Sequence, residues 1–281
     1  EAPILETMRS IYSAVPMHHL AAIHGKIAGA MVVANAIVDC LPLIHGPVGC
    51  AFQRKLNPFA LSSNFYDSPC TNLNNVDVVY GAEDKLTDAI VEAYQRYSPK
   101  LIMVITTCTT DLIGDDIHSA VQKAREKIGC DVVYSTGDFV GKSRPVGIQD
   151  SLYALCDQLI CRDDVEKNEG SVNLINSPTQ RNANKLMEMA SLLSNMGIKI
   201  NKILFDHTTT KDMMDLAQAD LNITGYRMSW AELMKARMNV EYCQITGWHR
   251  YNKEKNPEMI SPYGLAGSSR VLEEIARIMG R

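Results

Sequence analysis

LPLIHGPVGC, residues 41–50, is the stretch whose reading decides the fold. A short apolar run ends in His45-Gly46-Pro47-Val48-Gly49-Cys50. The run reads as a buried strand that glycine and proline break at its carboxyl end. In an open α/β sheet, ligands bind outside that end of the strands. Gly46 and Gly49 let the backbone turn sharply there, and Cys50 is expected on a constrained loop at the mouth of the sheet. LIMVITTCTTDLIGDDI, residues 101–117, repeats the arrangement: residues 101–105 read as a strand and Cys108 lies just past its end. Two thiols on two strand-end loops of one sheet can converge on one site.

Working outward, residues 26–37 carry small and apolar residues at helical spacing, which predicts a helix lying close on the sheet before the strand at 38–44. Residues 51–75, with Phe59, Ser62, Ser63, Pro69, Cys70 and several asparagines, read as a long loop, and residues 76–80 as a strand ended by Gly81. A helix at 85–97, a strand at 131–134 and a third glycine-rich strand-end loop, STGDFVGKSRPVG at 135–147, follow. Asp115-Asp116 precede a helix at 117–128, where carboxylates favour the positive helix end. A helix at 150–159 ends this half. The charged stretch CRDDVEKNEG (161–170) marks a boundary between an N-terminal domain at 1–168 and a second domain at 169–281. Beyond it, strands at 172–175, 200–205, 221–223 and 240–245 alternate with helices, the last at 268–279 with Ser268 or Ser269 as its cap. Strand–helix alternation predicts two doubly wound parallel-sheet α/β domains.

Composition bounds the function. The chain has 281 residues, 46% of them hydrophobic, and a net charge of −4, which gives no reason to expect nucleic acid or an anionic membrane as partner. Its apolar runs are too short to span a bilayer and no secretory pattern opens it, so the expected compartment is the cytoplasm. The eight cysteines do not form a dense disulfide framework, and in a reducing compartment they point to metal or redox work or to buried thiols.

Cys50 and Cys108 have the setting of iron–sulfur ligands, Cys108 beside a helix start that favours thiolate; buried small apolar residues are the alternative. Cys40 reads as core-facing, whereas Cys70, on the long loop, is open between ligand and structural roles. Cys130, Cys156, Cys161 and Cys243 read as structural. His45 can orient its loop or hydrogen-bond a sulfide, or be satisfied by backbone. Ser143 can supply an oxygen ligand or be an ordinary turn serine. His18-His19 read as exposed or packing residues, and DHTTT (206–210) as a polar helix cap. GxxxxGK[ST] is absent, so no ATP site is expected in this chain.

HGPVGC (45–50), VVYGAEDKL (78–86) and TTCTTDLIGDDI (106–117), with DFVGKSRPVG (138–147) after them, resemble nitrogenase component 1 and its relatives, catalytic subunits, cofactor-assembly scaffolds and nitrogenase-like reductases among them. The resemblance implies that Cys50 and Cys108 bind a cluster at a subunit interface, P-cluster-like or [4Fe–4S]. The upstream cysteine of β-type subunits falls at Gly25 in GKIAGA (25–30), which leaves Cys40, Cys70 or the neighbouring His24 as substitutes. The serine of an FVGS motif falls at Lys142, with Ser143 one place later. Gly225 in LNITGYRMS (221–229) stands where α-type subunits carry the cysteine that anchors the large cofactor. The family's usual third domain has no counterpart in these 281 residues. By this resemblance the chain is a β-like subunit of a nitrogenase-like oxidoreductase, relaying electrons from an ATP-dependent iron protein to a homologous partner in a heterotetramer. The alternatives are a scaffold for cofactor maturation and a structural partner that has lost its cluster.

Overall fold

The computed structural model describes residues 25–55, 68–136, 143–162, 164–175, 183–205, 207–224, 229–245 and 264–280. His18, His19, His24, Phe59, Ser62, Ser63, Lys142 and Gly225 lie outside the described residues.

Two parallel sheets organise the chain. The first has three strands in sequence order: β1 (Cys40–His45), β2 (Leu101–Thr106) and β3 (Asp131–Ser135). Every residue of β1 and β2 is buried, which is why both read as unbroken apolar runs and not as alternating ones. Alternate side chains enter two different apolar layers. Leu101, Met103 and Ile105 face the layer of α1 (Lys26–Asn35) and a later helix, α7, while Ile102 and Val104 face the other side. That other layer comes from the two crossover helices between the strands, which become α4 (Glu83–Tyr97) and α6 (Ile117–Arg125) after the short helices α2 (Val48–Lys55), α3 (Asn75–Tyr80) and α5 (Cys108–Ile113) are counted.

α7 (Arg144–Leu155) crosses α1 at very short range. A β-carbon on Gly29 would lie 2.1 Å from the Arg144 carbonyl oxygen, and one on Gly147 would lie 2.0 Å from the Lys26 carbonyl oxygen. Each helix thus offers a glycine to the backbone of the other. Lys26, almost wholly enclosed at this crossing, reaches Asp150 at 2.7 Å.

The second sheet runs β5 (Lys199–Leu204), β4 (Ser171–Ile175), β6 (Leu221–Thr224), β7 (Glu241–Gln244), all parallel. The chain adds β5 on one side of β4 and then β6 and β7 on the other, so the winding reverses at β4. α8 (Ala183–Asn195) and α11 (Gly264–Ile278) cover one face, with Leu193, Val271 and Ile275 against Val172, Leu174 and Ile223. The short helix α9 (Thr210–Met214), the 3₁₀ turn Asp215–Gln218 and α10 (Ser229–Met238) lie on the other. That face shares one apolar layer with α1 and α7 of the first half, through Met213, Leu216, Trp230 and Met234. Asp39 adds a polar tie, its carboxylate accepting from the Thr210 amide and hydroxyl at 2.8 Å each.

Three local expectations differ from the structure. Residues 76–80 are helix, not strand. Asn74 caps α3 in a reciprocal box with Asp77, and a short β-branched run does not by itself distinguish strand from helix. Val48–Lys55 is helical too, because Pro47 suits a first turn and accepts the Cys50 amide at 3.0 Å. α11 begins at Gly264, so Ser268 and Ser269 lie inside it and do not cap it.

Candidate functional site

β1 and β2 are neighbours in register, Ile44 beside Ile105 and His45 beside Thr106. Their carboxyl ends therefore open side by side. Beyond β1, Gly46-Pro47 turn the chain into α2, whose third residue is Cys50. Beyond β2, Thr107 donates its amide to the Thr110 hydroxyl at 2.9 Å, and Cys108 is the first residue of α5. Neither cysteine is in a disulfide and both are half-buried, and each stands on the opening turns of a helix, not on the loop expected for it.

Cys70 joins the same edge. The Ile44 amide donates to Pro69 O at 2.9 Å and the Thr71 amide to Ile44 O at 3.1 Å, so residues 69–71 run along β1 opposite β2. Cys70 lines a cavity of about 370 Å³ together with Leu43, Val48, Ala51 and Phe52. Ser143 sits elsewhere on the edge. It precedes α7, is exposed, and forms an antiparallel bridge with Gly25 at the head of α1. Lys26 places this pair near the end of β3, its Nζ donating to Thr136 O at 3.4 Å. Gly25 and Ser143 thus meet each other, whereas Lys142, where the FVGS serine falls, lies outside the described residues.

A sealed polar network holds the edge together. Neither His45 nor Asp115 exposes any of its side chain, and His45 Nε2 lies 3.1 Å from Asp115 Oδ2. His45 Nδ1 is 3.0 Å from Thr71 Oγ1, which accepts the Gly46 amide at 3.0 Å. Asp115 Oδ1 accepts the Ala82 amide at 3.0 Å, and Thr110 donates to His45 O at 3.3 Å. With His45 neutral every group has a partner: Thr71 donates to Nδ1 and Nε2–H donates to the carboxylate. Burial lowers the His45 pKa from 6.5 against the opposing pull of Asp115. The histidine is therefore satisfied by side chains, and it binds the segment before Cys50 to the segments at 71 and 115. Sequence reading missed this role of Asp115. Asp116 alone caps α6, accepting the Ser119 amide, and the doubled acid was the signal that one carboxylate was free to turn inward.

The other thiols lie apart from this edge or in the core. Cys40 is enclosed within β1, where burial drives its thiol pKa up. Burial raises Cys130 to about 11 and Cys243 to about 12. Among the described residues, no group of three or more His, Cys, Asp or Glu side chains can hold a metal ion. Two half-buried thiols at adjacent strand ends are fewer ligands than an iron–sulfur cluster takes.

The family model for nitrogenase component 1 type oxidoreductases matches residues 26–281. The chain belongs to that family. It is 29% identical over 259 residues to the nitrogenase iron-molybdenum cofactor biosynthesis protein NifE of Clostridium pasteurianum, covering 90% of this chain and 53% of that protein. The NifE protein of Methanosarcina barkeri is 32% identical over 235 residues, 76% of this chain and 49% of its own length. The nitrogenase molybdenum-iron protein alpha chain of Clostridium pasteurianum is 29% identical over 231 residues, 77% of this chain and 43% of its own. The solved structure of nitrogenase Cp1 at pH 6.5 superposes with a TM-score of 0.69 at 25% identity, over 90% of this chain and 48% of that one. The chain spans about half the length of these nitrogenase component 1 relatives. Among the described residues, no helix is long and apolar enough to cross a membrane.

Proposed function

We propose that this chain is a scaffold-type subunit of a nitrogenase component 1 complex, holding an iron–sulfur cluster shared with a homologous subunit. Cys50 and Cys108 are its ligands from this side, and Cys70 is the third candidate. The observation that carries the reading is the placement of two half-buried cysteines just past adjacent parallel strands. A P-cluster-like or [4Fe–4S] cluster needs more thiolates than these, so a partner completes it, and pairing of such pairs gives a heterotetramer. Exposed apolar side chains around the same edge support a partner there: Val48 and Phe52 on α2, Val79 and Tyr80 on α3, Leu112 on α5. A role in cofactor maturation is supported by the NifE relatives, which are named iron-molybdenum cofactor biosynthesis proteins. Gly225, standing where α-type subunits carry the anchoring cysteine, fits a β-like subunit under this reading and under electron relay alike.

Residues 1–168 carry the cluster in this reading, and residues 169–281 form the second domain. The complex works in the cytoplasm, and an ATP-dependent iron protein supplies its electrons, as membership of the nitrogenase component 1 family suggests. Similarity to the molybdenum-iron protein alpha chain favours a second reading, electron relay within a reductase. Anaerobic co-purification with the partner subunit tests the cluster: the wild-type complex carries iron and sulfide, and Cys50→Ala or Cys108→Ala loses both. Unchanged metal content in these variants would overturn the proposal. Transfer of a matured cofactor to an apo-reductase supports the scaffold role, and substrate reduction by the complex itself supports the relay.

A further inference from the structure

α7 does not end as an α-helix. It runs into a π turn, Cys156–Ile160, closed by the Cys161 amide donating to Cys156 O at 2.8 Å. In an α-helix, residues five apart point about 140° away from each other. The wider π turn brings them to one side, and such turns recur at functional sites. Here Cys156 Sγ and Cys161 Sγ lie 3.5 Å apart. The two thiols differ in access. Cys156 is enclosed in the apolar layer between the sheets, 3.5 Å from Trp230 O, whereas Cys161 is half-buried. Arg237 and Lys167 lend positive charge near Cys161, opposed in part by Asp157, which pairs with Arg237 at 2.6 Å.

We propose that Cys156 and Cys161 form a thiol–disulfide exchange site for small-molecule disulfides of the glutathione type. Cys161 is the reachable nucleophile. As thiolate it attacks one sulfur of the small disulfide; the Cys161–S bond forms, the small disulfide's S–S bond breaks, and one thiolate leaves. Cys156 then attacks Cys161 Sγ, the Cys156–Cys161 bond forms, and the second small thiolate leaves. The two cysteine protons pass to the two departing thiolates. Two cysteine thiols are oxidised and one small disulfide is reduced to two thiols. The sulfurs have to close from 3.5 Å to about 2.0 Å. The division of labour agrees with the surroundings. The hydrogen bond from Cys156, with Arg237 behind it, lowers the Cys161 pKa against the cost of its burial, while that same bond and burial keep Cys156 protonated.

The test uses the full chain, reduced and then exposed to excess oxidised glutathione, acid-quenched, alkylated after unfolding and digested with trypsin. Residues 143–162 form one tryptic peptide containing these two cysteines and no other. The wild-type peptide is expected to lose two hydrogens and take no alkyl label. Cys156→Ser should hold glutathione at Cys161, and Cys161→Ser should leave Cys156 free of glutathione. A wild-type peptide bearing two alkyl labels, a lasting glutathione adduct on it, or glutathione on Cys156 in Cys161→Ser would each overturn the proposal. Cys50→Ala should give the wild-type pattern, which separates this site from the cluster.

Discussion

His45 and Asp115 meet in the interior with 3.1 Å between Nε2 and Oδ2, and neither side chain reaches solvent. This pair couples the carboxyl end of β1 to the start of α6, and so fixes the two segments that flank Cys50 and Cys108. Because burial lowers the His45 pKa from 6.5, the unfolded chain binds the proton more readily than the folded one. The stability this group contributes is present in full above pH 6.5 and is lost as the pH falls from there through the folded value. Denaturant unfolding between about pH 5 and 8 should show that acid loss in the wild type and a flatter profile in His45→Gln. Parallel profiles would refute the coupling. Asp115→Ala, which strips the histidine of its partner and leaves the Ala82 amide unpaired, should cost about 3 kcal/mol.

The α1–α7 crossing gives a second, independent prediction. Gly147→Ala would set a β-carbon 2.0 Å from a main-chain oxygen, and the helices can relieve that only by moving apart. Overpacking of this kind costs about 2 kcal/mol or more. Gly49→Ala is the contrast: nothing lies within 4 Å of its β-carbon and it sits within α2, so alanine should stabilise by about 0.5–1 kcal/mol. Thermal melts of the two variants should move in opposite directions.

The sequence made the strands legible because they are buried on both faces: LPLIH and LIMVIT leave no other place for so many apolar residues. It also placed both cysteines past adjacent strand ends. Helices whose apolar residues stay exposed were not legible, since Val76, Val79 and Tyr80 on α3 break the rule that such residues mark a buried strand. The partners of His45 were illegible for another reason. Thr71 and Asp115 lie 26 and 70 residues away, and no local pattern joins them to it. The Cys156–Cys161 contact depends on a π turn that helical periodicity cannot announce.

The thiol environments predict which cysteines matter for metal. Cys130 stands just before the amino end of β3, the end of the first sheet opposite Cys50 and Cys108, and Cys243 is buried within β7 of the second sheet. Cys130→Ala and Cys243→Ala should therefore keep wild-type iron and sulfide content under conditions in which Cys108→Ala loses both. Iron loss on replacing either of these two would place the cluster elsewhere.

Tyr80 is 83% exposed and Leu112 82%, on helices α3 and α5 that pack against each other beside the strand end bearing Cys108. Apolar side chains this open gain nothing in the isolated chain, and burying them against a second subunit recovers about 25 cal/mol for each Å² covered. A carboxylate at either position costs the isolated chain little, because solvent already surrounds the side chain. In the assembled complex it would be buried unpaired, with a loss of about 2 kcal/mol or more, roughly a thirtyfold weakening of association. Tyr80→Glu and Leu112→Glu should thus leave the melting temperature of the isolated chain within a few degrees of wild type while reducing co-purification of the homologous subunit and the iron content together. Leu192→Glu, on α8 of the second sheet, is equally a charge placed on an exposed apolar residue and should do neither. If all three variants bind the partner alike, the strand-end helices of the first sheet are not the subunit interface, and the shared cluster proposed there loses its second set of ligands.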